Sequence, residues 1–82
     1  MRQNMIFVQN GCYICTALLD RMAMNNIASP VPILNISQDM QAREIFFING
    51  GEGTPAILMN GQMHTGMNSV RKVLTQQFGI KF

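Results

Sequence analysis

Eighty-two residues, 48% of them apolar and 12% charged, carry a formal net charge of only +2. A chain of this length folds as one domain, here residues 1–82, around a small core, and its apolar content is too high for a disordered tail. The basic residues Arg2, Arg21, Arg43, Arg71, Lys72 and Lys81 are scattered along the chain, which argues against nucleic acid as partner. The longest apolar runs, such as Ala56-Ile57-Leu58-Met59, fall far short of the ~20 residues that span a membrane.

In chain order, residues 1–9 carry an apolar stretch that Asn10-Gly11 ends, the pattern of a buried strand. Met5-Ile6-Phe7-Val8 is too short for the apolar segment of a signal peptide, so a cytoplasmic, reducing location is expected. Over residues 12–26, Ile14, Leu18, Leu19, Met22 and Ala23 recur at helical spacing. Pro30 and Pro32 break the chain, and residues 31–36 read as a second strand, with proline tolerated if that strand lies at a sheet edge. Ser37 is the expected cap of a helix that runs to about Phe47, with Met40, Ile45 and Phe46 or Phe47 facing inward. A glycine-rich loop, Asn49-Gly50-Gly51-Glu52-Gly53, follows it.

Residues 55–59 form a third strand, Asn60-Gly61 is the favoured two-residue hairpin turn, and residues 62–65 return as a fourth. Gly66 breaks it, Asn68 or Ser69 caps a last helix lined by Val70, Val73, Leu74 and Phe78, and Gly79 closes that helix. The order is β-α-β-α-β-β-α: a four-stranded mixed sheet with helices on both faces, its first crossover parallel and right-handed.

The chemistry centres on Cys12-Tyr13-Ile14-Cys15, at the strand-to-helix junction. Two cysteines one helical turn apart come within disulfide reach. Cys12, at the helix N-terminus, is favoured as thiolate by unpaired N–H groups and the helix dipole. Cys15 sits one turn inside and supplies a resolving thiol. Zinc shares the spacing, but a structural site wants four ligands, and the chain offers Cys12, Cys15 and the single histidine, His64. A fixed disulfide closing so short a loop adds little stability. The redox reading therefore leads, and no metal ligand is assigned. His64 is expected to face solvent, and the eight methionines to serve as adaptable core filler or a soft partner surface near Gly66. Tyr13 is expected to point outward and shape substrate access.

The Cys12–Cys15 motif together with the run from Gly53-Thr54-Pro55 through Asn60-Gly61 to Thr65-Gly66-Met67-Asn68-Ser69-Val70 resembles a glutaredoxin, and the element order agrees over the whole chain. The resemblance implies a thioredoxin fold, a cis Pro55 beside the cysteine pair, and a Thr54 backbone that pairs with a bound thiol substrate. It also implies substrate contacts at Tyr13, Gly66, Met67 and Asn68. It implies a monomer without bound cofactor, with glutathione or a reductase such as thioredoxin reductase as external electron donor. The partners implied are disulfide-bearing proteins, ribonucleotide reductase among them.

The departures are as informative. Tyr13-Ile14 replaces the proline-containing pair between the cysteines. Gln9 stands where the family usually has Lys, Thr65-Gly66 replaces Gly-Gly, and Asn68-Ser69 replaces the Asp-Asp that receives the glutathione ammonium. Glutathione is therefore expected to bind weakly. Two other classes compete: a non-catalytic thioredoxin-fold adaptor that binds a partner protein, and a metal or iron–sulfur carrier using Cys12.

Overall fold

The computed structural model describes residues 3–82, so the part of the first predicted strand at Met1 and Arg2 lies outside the described residues. The elements are β1 (Met5–Val8), α1 (Tyr13–Met24), β2 (Ile33–Asn35), α2 (Met40–Ile48), β3 (Ala56–Met59), β4 (Gln62–Thr65) and α3 (Met67–Phe78), in the expected order. The sheet order is β2-β1-β3-β4. β1 runs parallel to β2 and antiparallel to β3, and β3 pairs antiparallel with β4.

Both central strands are buried at every position, because helices cover both faces of the sheet. Their side chains alternate between two clusters. Ile6, Val8, Ile57 and Met59 meet Leu18 and Met22 of α1 and Val70, Val73 and Leu74 of α3. Met5, Phe7, Ala56 and Leu58 meet Ala42 and Phe46 of α2. The Phe7 and Phe46 rings lie edge to face with centroids 5.2 Å apart, a geometry that adds to their area burial. In the β3–β4 turn, Asn60 and Gly61 both take positive φ, 52° and 81°, as that turn requires.

Several local expectations are corrected. α1 buries Cys15, Leu18 and Met22, so Ile14 and Ala23 fall on its exposed side. β2 is shorter than residues 31–36, although backbone bonds from Ile6 N–H to Pro32 and from Ile36 N–H to Val8 extend the pairing at both ends. It is an edge strand, where Pro30 and Pro32 interrupt no ladder.

The cap of α2 is Asp39, whose carboxylate accepts from Gln41 and Ala42 N–H at 3.0 and 3.1 Å. Ser37 is engaged elsewhere, accepting the Asn10 N–H at 3.0 Å. With the start shifted by two residues, Ala42 and Phe46 face inward, while Met40 and Phe47 are exposed. α3 starts at Met67 with Gly66 as its N-cap, so Asn68 and Ser69 lie in its first turn instead of capping it. Phe78 is 40% exposed, at the edge of the apolar face expected to bury it. His64 is half-buried opposite Ile57, on the sheet face that α1 and α3 cover, and does not simply face solvent.

Candidate active site

Val8 ends β1 paired with Asn35 of β2, and the chain then turns through Gln9, Asn10 and Gly11 into α1. Gly11 takes φ +75°, which L side chains adopt only with strain. The turn is tied down from outside. Asn35, at the end of β2, donates from Nδ2 to Asn10 Oδ1 at 2.9 Å and accepts the Ser37 N–H at 2.8 Å. Ser37 in turn accepts the Asn10 N–H. These bonds fix Asn10, two residues before Cys12.

Cys12 is the N-cap of α1, and its Sγ accepts the Cys15 N–H at 3.2 Å. A side-chain sulfur thus takes the place of the usual cap oxygen and meets one of the helix's unpaired donors. The Cys12 and Cys15 Cα atoms are 5.2 Å apart and the two sulfurs form a disulfide. The pair is asymmetric: Cys12 is half-buried, and Cys15 is buried at 2% exposure beneath it. A reagent from solvent therefore meets Cys12 first.

The Thr54–Pro55 peptide bond is cis, as the resemblance implied. The Thr54 carbonyl oxygen lies 3.5 Å from Cys12 Sγ, the range in which a reduced thiol donates to it. Two further bonds hold this segment. Gln9 Nε2 donates to Thr54 Oγ1 at 2.7 Å, and Gly66 N–H donates to the Pro55 carbonyl at 2.8 Å. The second bond carries the start of α3 to the same place, and Met67 packs on the cluster that contains Cys15.

Of the residues singled out from sequence, Cys12, Cys15, Thr54, Pro55, Gly66 and Met67 gather in this way. Tyr13 projects from the first turn of α1 with 80% exposure. Asn68 is exposed and lines a groove along α3. Sequence reasoning did not find the parts played by Asn35 and Ser37, nor the Gln9–Thr54 bond. The residues of that bond lie 45 apart in the chain, and no local pattern joins them. Among the described residues, no three His, Cys, Asp or Glu side chains gather as metal ligands do, and no helix is long and apolar enough to cross a membrane.

No family model and no curated protein matches the chain. Solved structures do. The thioredoxin-like protein BC3987 is 21% identical with a TM-score of 0.63, over 92% of this chain and 97% of that one. A mutant of the same protein is 20% identical with a TM-score of 0.64, over 95% and 100%. Fold and site together define a thioredoxin-like fold with a CxxC disulfide at the start of its first helix. Identity this low carries the fold alone; what the cysteines do must come from their own chemistry.

Proposed function

We propose that this protein is a small dithiol thiol–disulfide oxidoreductase of the glutaredoxin and thioredoxin type, acting on protein disulfides in a reducing compartment such as the cytoplasm. The observation that carries the reading is the arrangement of the pair. A half-exposed sulfur sits at a helix N-terminus, and a buried sulfur one turn inside is already bonded to it.

In the reduced protein, the Cys12 thiolate attacks one sulfur of a substrate disulfide and forms a mixed disulfide, expelling the other substrate sulfur as thiolate, which takes up a proton. Cys15, having lost its proton, then attacks Cys12 Sγ. The Cys12–Cys15 bond forms, and the second substrate thiolate leaves and is protonated. An external donor returns two electrons and two protons to the pair. The Thr54 backbone, lying beside Cys12, offers an edge along which an extended substrate chain can pair.

The surroundings offer few charged handles for glutathione. Gln9 carries no charge and its amide is engaged by Thr54, while Asn68 offers no carboxylate to an ammonium group. Exposed charge pairs contribute ~0.2–1 kcal/mol each, so two missing pairs weaken binding by about twofold up to about thirtyfold. We accordingly place a flavoprotein reductase such as thioredoxin reductase ahead of glutathione as electron donor. Disulfides of enzymes such as ribonucleotide reductase are the substrate class.

The test is reductase-coupled reduction of a protein disulfide, run with glutathione and with thioredoxin reductase as donor. The expected result is faster turnover with the reductase. Glutathione-dependent turnover should rise several-fold in Gln9→Lys and in Asn68→Asp. Robust glutathione turnover that neither substitution improves would overturn the predicted donor preference.

A further inference from the structure

The basic residues look scattered in sequence, yet half of them converge in space. Arg71, Lys72 and Lys81 line one groove of about 570 Å³, with Asn68, Thr75, Gln76 and Phe82. None of the four acidic residues, Asp20, Asp39, Glu44 and Glu52, lines it. The Arg71 guanidinium lies over the Phe82 ring, 5.1 Å from its centroid. Its Nε is buried without a hydrogen-bond partner, an uncompensated donor that a native structure rarely leaves unmet. Among the described residues, the Lys72 and Lys81 side chains make no hydrogen bond or ion pair. The groove is thus rich in unpaired positive charge, and its one ordered guanidinium is stacked in place by an aromatic ring.

Its length selects the ligand. From Asn68 to Gln76 the helix rises about 12 Å at ~1.5 Å per residue. That is too long for one small anion and matches about four residues of extended chain. We propose that this groove binds an acidic polypeptide segment, its carboxylates meeting Arg71, Lys72 and Lys81. Because Gly66, the N-cap of α3, donates to the Pro55 carbonyl, a segment bound here lies along a helix whose first turn is tied to the loop that faces Cys12. Its use in docking a redox partner rests on the proposed function; the binding itself does not.

The experiment is amide chemical-shift titration of the labelled full chain with tetraglutamate, tetraglutamine and free glutarate at low salt. Tetraglutamate is expected to shift amides over residues 68–76 and to bind about tenfold more weakly when Lys72→Gln and Lys81→Gln are combined, or when salt is raised about tenfold. Both lysines are exposed, so this variant retains the fold. Arg21→Gln combined with Arg43→Gln removes the same net charge elsewhere and is expected to change the affinity by less than about twofold. Cys12→Ser protein should bind equally well, which separates this site from the redox reading. The proposal is overturned if tetraglutamate leaves residues 68–76 unshifted, if both charge-removing pairs weaken binding equally, or if tetraglutamine or glutarate binds as tightly as tetraglutamate.

Discussion

Cys12 receives two opposed influences from backbone groups. The Cys15 N–H at 3.2 Å and the α1 dipole behind it stabilise a negative sulfur, whereas the Thr54 carbonyl at 3.5 Å stabilises the protonated thiol. The N–H contact is the shorter, it is reinforced by the whole helix terminus, and a hydrogen bond to an ion is about twice as strong as one between neutral groups. The reduced Cys12 thiol should therefore ionise below the ordinary free-cysteine value of ~8.5. Absorbance at 240 nm against pH, compared with Cys12→Ser, measures it. The rate of attack on a disulfide should rise with pH through the same transition and level off above it. A titration at or above the free value would remove the argument for an activated nucleophile.

The cysteine pair was legible because a three-residue spacing and a strand-to-helix junction are both local signals. The Thr54–Pro55 contribution was legible only through family resemblance. The Gln9–Thr54 bond and the Asn35–Asn10–Ser37 ties were not legible at all, since each joins segments far apart in the chain.

At the scale of elements, α2 and the loop after it show how tertiary contacts choose among local options. Ser37 and Asp39 are both good caps two residues apart. The Asn10 bond removes Ser37 from the choice, and the inward face then rotates to Ala42 and Phe46. A helix with apolar residues nearly all round gives periodicity little power to decide its buried face.

The loop that follows contains a sharper constraint. A Cβ on Gly51 would lie 2.5 Å from Phe46 Cγ, inside a ring packed on Phe7, whereas a Cβ on Gly53 would meet only Thr65 Cγ2, at an ordinary 3.6 Å. Gly51→Ala should therefore cost about 1–3 kcal/mol through overpacking, or roughly 5–15 °C in melting temperature for a domain this small. Gly53→Ala should leave stability unchanged or slightly raised through reduced chain entropy in the unfolded state. Paired thermal melts decide it; equal effects of the two substitutions would contradict the packing argument.

At the scale of the whole molecule, the order of elements followed from apolar runs separated by strong breakers, Asn10-Gly11, Pro30 and Pro32, the 49–53 loop, Asn60-Gly61 and Gly66. The sheet order β2-β1-β3-β4 places β1 and β3 at the centre. That arrangement sets the C-terminal end of β1, which leads into Cys12, beside the start of β3, which follows Pro55. Convergence of Arg71, Lys72 and Lys81 could not be seen along the chain, because Lys81 returns past Gly79 to the side of α3 only once the helix has ended.

In the proposed reaction Cys12 is the attacking sulfur and Cys15 the resolving one. Intact-mass and peptide mapping of reduced Cys12→Ser and Cys15→Ser proteins, each challenged with a disulfide-bonded protein such as insulin, test it most directly. The expected result is a stable mixed disulfide on Cys12 of the Cys15→Ser protein, which has lost the thiol that would release it, and no adduct on the buried Cys15 of the Cys12→Ser protein. An adduct that accumulates on Cys15, or two inert variants, would contradict it.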